Sequence, residues 1–441
     1  MGITRGRDEP GTADTGAAIE AVNDNARPLD DEQLQRLVDR IGDREVICLG
    51  EASHGTSEFY RLRAQLTATL LRELENAFVA VEGDWTACYE VNRFVRGLSE
   101  QADARAVLAD FDRWPTWMWA NWEVLEFIEW LRAENAERED DSEVGFYGMD
   151  VYSLFESMDA VIEYLEEHDP NAVERARAAY HCFEPYGEDA RAYARSTRLV
   201  PEDCEDEVIA VLSDLRDRET GHDDTHADSR FNAEQNALVA ANAEKYYRAM
   251  VQGNVSSWNV RDEHMVETLG RLRAHHDDAT AIVWAHNTHV GDARATDMAD
   301  RGEVNVGQLV REEYGDEAVA LVGFGTHRGS VIAGESWGAP MEAMRVPPAR
   351  DGSYESICHR SDSTDCLLES DDIATTVLAE RRGHRAIGVV YHPERELGNY
   401  VPTVLPDRYD AFLYLDETDA VHPFDLPADT REVPETYPWG L

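Results

Sequence analysis

The chain has 441 residues and a net charge of −48, from 89 acidic against 41 basic side chains, with Lys245 as its only lysine. Such a charge excludes nucleic acid and anionic membranes as partners, while 43% hydrophobic residues and ten tryptophans exclude disorder. Acid excess with so little lysine is expected of a surface that stays hydrated in concentrated salt, where a Debye length of about 3 Å at 1 M screens its self-repulsion.

Residues 1–28 lack apolar periodicity and are predicted to form a mobile tail. No apolar run approaches the ~18 residues that span a bilayer and no secretory signal is visible, so a cytoplasmic protein is expected. Six cysteines (Cys48, Cys88, Cys182, Cys204, Cys358 and Cys366) contain no CxxC pair and read as reduced. The rest, 29–441, reads as one α/β domain: a mostly parallel central sheet flanked by helices, with a large helical insertion at about 152–276.

Four strand predictions carry this reading. The run Arg44–Leu49 is β-branched and apolar, breaks at Gly50, presents Glu51 and His54, passes Gly55 and enters a helix that runs to about Glu75. Ala77–Val81 ends at Glu82, Gly83 and Asp84, and a helix follows from about Ala87 to Gly97. Phe111–Asn135 is rich in tryptophan; its helical face is expected in the core, with Trp114, Trp117 and Met118 near its start as an alternative apolar substrate wall. Val144–Met149 ends at Asp150, and Ala279–Ala285 ends at His286-Asn287-Thr288-His289. Further strands are predicted at Ala318–Thr326, with Ser330–Ala333 as a returning hairpin arm, at Arg385–Tyr391 and at Ala411–Leu415.

If these strands are parallel neighbours, their polar ends converge on one rim, where open α/β sheets bind ligands. A carboxylate beside a histidine fixes the imidazole tautomer and raises its basicity, as a general base needs. Further histidines there can donate to an oxyanion or protonate a leaving alcohol. No motif calls for a cofactor, but Glu51, His54, Glu82, His286 and His289 equally suit a divalent metal that activates water. His222 and His226, in a charged loop, read as solvated rather than metal-binding. Gly334-Glu335-Ser336-Trp337-Gly338 matches the GxSxG nucleophile elbow, with His384, His392 and His422 downstream as bases, yet Pro340, Pro347 and Pro348 leave room for barely two turns of the helix that an elbow requires.

At these residues the chain resembles the erythromycin esterase family, which includes proteins labelled succinoglycan-biosynthesis-like. The resemblance runs from about Leu34 onward. It is carried by Gly50-Glu51-Ala52-Ser53-His54-Gly55 with Glu58-Phe59, by Glu82, by Trp117-Met118-Trp119 with Trp130-Leu131-Arg132, by Gly145–Asp150, by Arg261-Asp262-Glu263-His264-Met265 and by Trp284–His289. Ser53 departs from the Thr common at that position. The resemblance implies hydrolysis of a small-molecule carboxylic ester or lactone by activated water, without an acyl-enzyme. It implies His54 as general base, Glu51 and Glu82 as the acids around it, and His286 and His289 as a second pair. Trp85, Trp117, Met118, Asp150 and Arg261 are the expected substrate contacts. A metal-dependent hydrolase of another bond on the same fold, and a small-molecule binding protein without catalysis, are the competing expectations.

Overall fold

The strands that build the sheet are short runs buried on both faces, and their pleat divides each run between two cores. In the computed structural model, which describes residues 15–101, 103–138, 142–186, 193, 195, 204–216, 227–252 and 256–425, the strands are β1 (Arg27–Pro28), β2 (Val46–Leu49), β3 (Ala77–Asp84), β4 (Gly145–Asp150), β5 (Thr280–Trp284), β6 (Val319–Gly334), β7 (Met341–Val346), β8 (Cys366–Glu369), β9 (Arg382–Arg385), β10 (Tyr400–Thr403) and β11 (Ala411–Thr418). Ile47 and Leu49 of β2, Val79 and Val81 of β3, and Ile282 and Trp284 of β5 enter one core. Val46 and Cys48, Phe78 and Ala80, and Ala281 and Val283 enter the other. Sheets covered by helices on both faces are built from such doubly buried strands.

The main sheet runs β1-β8-β11-β6-β2-β5-β3-β4, with β7 added to β6. The six strands from β11 to β4 are parallel; β8 is antiparallel to β11, β1 to β8 and β7 to β6. The expected mostly parallel sheet flanked by helices therefore stands, as does the large helical insertion. Between β4 and β5 lie helices Leu154–His168, Pro170–Tyr180, Glu205–Arg216, Ala227–Gln252 and Ser256–His275. The insertion has a core of its own, around Val161, Leu165, Leu215 and Leu238.

Several expectations are corrected. Part of the predicted tail is ordered: Thr15–Asn25 is a helix that buries Ala18 and Val22, and Arg27–Pro28 forms β1; residues 1–14 lie outside the described residues. Ser330–Ala333 does not turn back on Ala318–Thr326. Instead β6 runs on without interruption through Gly329, at φ 145°, and its last stretch, Gly329–Gly334, pairs with β7. Arg385–Tyr391 is not a strand of the main sheet: β9 ends at Arg385 and pairs with β10 in a separate two-stranded ribbon. Cys182 and Cys204, both packed in the insertion's core, are joined as a disulfide with Cα atoms 6.0 Å apart, so the all-reduced reading fails at this pair. Cys48, Cys88, Cys358 and Cys366 are free and buried. No helix among the described residues is long and apolar enough to cross a membrane. His222 and His226 lie outside the described residues.

Candidate active site

Neighbouring parallel strands end at one level, so the residues just past their ends share a rim. Leu49 of β2 and Val81 of β3 are both in register with Trp284 of β5, which brings Glu51, Glu82 and His286 side by side. Asp84 of β3 is in register with Asp150 of β4.

The turn after β2 presses Glu51 and His54 together: His54 Nδ1 lies 2.9 Å from Glu51 Oε1, and the Tyr60 hydroxyl donates to the His54 carbonyl at 2.9 Å. Gly50 is required there because a Cβ would stand 2.2 Å from Asn287 Oδ1. Behind Glu51, the fully buried Arg63 places Nη2 2.7 Å from Oε2, an ion pair whose N–H is not aligned as a hydrogen bond. The Arg63 guanidinium is held between the Tyr60 ring at 4.6 Å and the Trp284 ring at 5.0 Å.

Glu82 is the hub of the second half. Its Oε1 accepts from Arg261 Nη2 at 2.7 Å and stands 3.4 Å from His289 Nε2 and 3.9 Å from His54 Nε2. Its Oε2 accepts the backbone N–H of His286 at 2.9 Å. Arg261, reaching in from helix Ser256–His275, makes a bidentate pair with Asp150 at 2.9 and 2.6 Å and donates through Nη1 to His289 Nε2 at 2.9 Å. His289 Nδ1 in turn donates to the buried Asp262 at 2.9 Å, and Trp258 stacks on its ring at 4.5 Å and 6°. His54 and His286 face each other with ring centroids 4.8 Å apart.

The charges follow from this geometry. Burial disfavours the His54 cation, but Glu82 and the hydrogen-bonded Glu51 outweigh it and raise the pKa above the ordinary 6.5. Burial and the neighbouring His54 hold His286 well below that value. Burial alone would favour neutral Glu82; His289, Arg261 and His54 overturn this and hold its carboxyl well below the usual range. Burial pushes Asp262 up, against the pull of His289.

The structure thus gathers Glu51, His54, Glu82, Asp150, Arg261, His286 and His289. Trp85 is elsewhere: it is buried against Tyr147 and donates to Asn232 Oδ1 at 2.8 Å, beneath the insertion. Trp117 and Met118 are buried in the sheet's core rather than forming an open wall, whereas their neighbour Trp119 donates to the Glu82 carbonyl at 3.3 Å. The acid that orients His54 is Glu51, with Glu82 facing the other nitrogen. Ser336 sits in the turn between β6 and β7, so a strand and not a helix follows it. Among the described residues no group of three or more His, Cys, Asp or Glu is arranged to hold a metal ion: Glu51 is turned toward His54, and Glu82 and His289 toward Arg261.

Arg63, Trp258 and Asp262 escaped the sequence reading. Arg63 had a usable signal, a charged residue in phase with the buried Tyr60, Thr67 and Leu70 of its helix. Asp262 and Trp258 lie on a helix distant in sequence from His289, and nothing local in the chain joins them.

A mostly parallel α/β fold whose carboxyl rim gathers histidines and carboxylates is consistent with an esterase-type hydrolase. A family model described as erythromycin esterase matches residues 73–418, and the chain belongs to the erythromycin esterase family. Its fold is similar to that of a succinoglycan biosynthesis protein (19% identity, TM-score 0.77, covering 93% of this chain and 99% of that one). It is also similar to a protein from Bacillus cereus (18%, 0.78, 93% and 99%) and to a mutant of the erythromycin esterase EreC in its open conformation (16%, 0.64, 88% and 95%).

Proposed function

We propose that this protein hydrolyses a small-molecule carboxylic ester or lactone with water activated by His54 and without a covalent intermediate. The observation that carries the reading is the buried Glu51 carboxylate 2.9 Å from His54 Nδ1. That contact commits the Nδ1 proton to Glu51 and leaves the Nε2 lone pair for a water. In the reaction, the water oxygen bonds to the ester carbon as its proton passes to His54 Nε2. The carbonyl π pair moves to the oxygen, which His286 meets as a hydrogen-bond donor. Collapse breaks the bond to the alcohol oxygen, which leaves with the proton from His54. Arg261 keeps Glu82 ionised, and ionised Glu82 stabilises the transient His54 cation.

Turnover of a panel of lactones and aryl esters, assayed in multimolar KCl with and without chelator, tests this. Turnover unaffected by chelator is expected. Activity lost to chelator and restored by Mn²⁺ or Zn²⁺, or no turnover of any ester, would overturn it.

A further inference from the structure

Of the two imidazoles that face each other, His286 has only one nitrogen left for chemistry. His286 caps the four-residue helix Asn287–Val290, and its Nδ1 accepts the backbone N–H of Thr288 at 3.2 Å. The Thr288 hydroxyl lies 2.8 Å from the same nitrogen. A backbone N–H can only donate, but at 3.2 Å it is a long contact that favours the Nδ1 lone pair weakly; the closer hydroxyl, donating to the same nitrogen, supplies most of the preference. The ring proton is thereby confined to Nε2. That atom is buried without a well-formed hydrogen bond among the described residues; the nearby Ala52 carbonyl, which accepts the Ile387 N–H at 2.8 Å through one of its two lone pairs, has only a minor influence on the ring. A buried donor left unpaired costs stability, and one at a rim of catalytic groups has a ready explanation in a ligand oxygen that completes it.

We propose that Thr288 is a positioning residue that locks His286 as its Nε2–H tautomer, so that His286 acts on the substrate only as a hydrogen-bond donor and never as a base. The identity of the substrate oxygen rests on the ester-hydrolase reading; the tautomer does not. The consequence is a division of labour between two rings on one rim. His54 gives its Nδ1 proton to Glu51 and offers a lone pair at Nε2; His286 has its Nδ1 lone pair taken by Thr288 and offers a proton at Nε2. During attack the water proton goes to His54, the carbonyl oxygen accepts the hydrogen bond from His286, and no proton is transferred at His286.

Thr288→Val removes the hydroxyl while keeping the side-chain shape, and Thr288→Ser restores it. In ¹⁵N spectra of the imidazoles, with His286 assigned by its loss in His286→Gln, the wild-type protein should show a protonated Nε2 and a bare Nδ1 at neutral pH. In Thr288→Val this signal should move toward a mixture of tautomers. The kcat should fall about fivefold to tenfold, the worth of one hydrogen bond, with KM unchanged, and Thr288→Ser should recover both. A wild-type His286 found as the Nδ1–H tautomer or as the imidazolium overturns the proposal, and so does a Thr288→Val variant with wild-type spectrum or wild-type kcat. If the wild-type spectrum is as expected but no ester is turned over, the hydrolase reading fails and the tautomer lock stands; the wild-type spectrum decides even if Thr288→Val does not fold.

Discussion

His54 carries a charge balance that fixes the direction of its pH dependence. As a base it must be neutral, and Glu82 and Glu51 raise its pKa above 6.5 against the effect of burial. The pH profile of kcat/KM should therefore rise through an inflection above 6.5. Stability runs the other way: the protonated ring is favoured in the folded state, so its contribution is complete below 6.5 and is lost as pH rises through the folded value. A rate that inflects at or below 6.5 would count against this environment for His54. Glu51→Gln keeps the shape but removes the charge-assisted bond, worth roughly 1.5–3 kcal/mol, so kcat should drop about 10–100-fold with the inflection moved down. It also strands Arg63, which is 1% exposed, and breaking a buried ion pair costs about 3–5 kcal/mol; a denaturant midpoint equal to wild type would show that Arg63 does not depend on Glu51. The pairing of Glu51 with His54 was legible because the two are close in sequence after a strand. Arg63 was legible as a charge on the buried face of its helix, though not as the partner of Glu51, and Asp262 was not legible, because a contact across distant elements leaves no local pattern.

Among the elements, the six parallel strands were readable as doubly buried runs, whereas the edges were not. Cys366-Leu367-Leu368-Glu369 is too short to stand out, and β6 continues past its apolar start into the less apolar stretch that pairs with β7. What the sheet does for the site is clearest where β2 ends. The Asn287 side chain is paired to the backbone of Phe324 on β6, Nδ2 to its carbonyl at 2.6 Å and its N–H to Oδ1 at 3.2 Å, while the Asn287 N–H donates to the Glu51 carbonyl at 2.9 Å. This one residue ties the Glu51 turn to the helix that bears His289. His384 stands behind it, 3.3 Å from Nδ2, and is held in turn by the buried Glu355 at 2.6 Å. Gly50→Ala drives a methyl group into Asn287 Oδ1 and should cost about 1–3 kcal/mol, the usual range for overpacking. Turnover should fall with it. An unfolding midpoint and kcat both unchanged would mean that the turn has slack this packing does not allow.

Across the molecule as a whole, the net charge of −48 predicts a response to salt. When the Debye length grows to roughly 30 Å at 0.01 M, these carboxylates repel one another across the surface. The melting temperature should therefore rise between dilute buffer and multimolar KCl, with activity lost reversibly in the dilute state. Equal melting temperatures in the two would refute salt adaptation of this surface. The charge itself was fully legible in the composition. How the acids divide between surface and site was not: Glu51, Glu82, Asp150 and Asp262 are buried against arginine and histidine, and only the fold separates them from the solvated majority.

Whether His54 activates the attacking water is decided by the kcat of His54→Ala on an ester that the wild-type protein turns over. Assays belong in multimolar KCl, with the variant's unfolding midpoint measured alongside. Loss of a general base should lower kcat by about 10²–10⁴-fold and leave KM nearly unchanged, since the missing interaction belongs to the transition state. A folded His54→Ala variant that keeps more than about a tenth of the wild-type kcat, well inside the usual general-base effect, would contradict that role for His54.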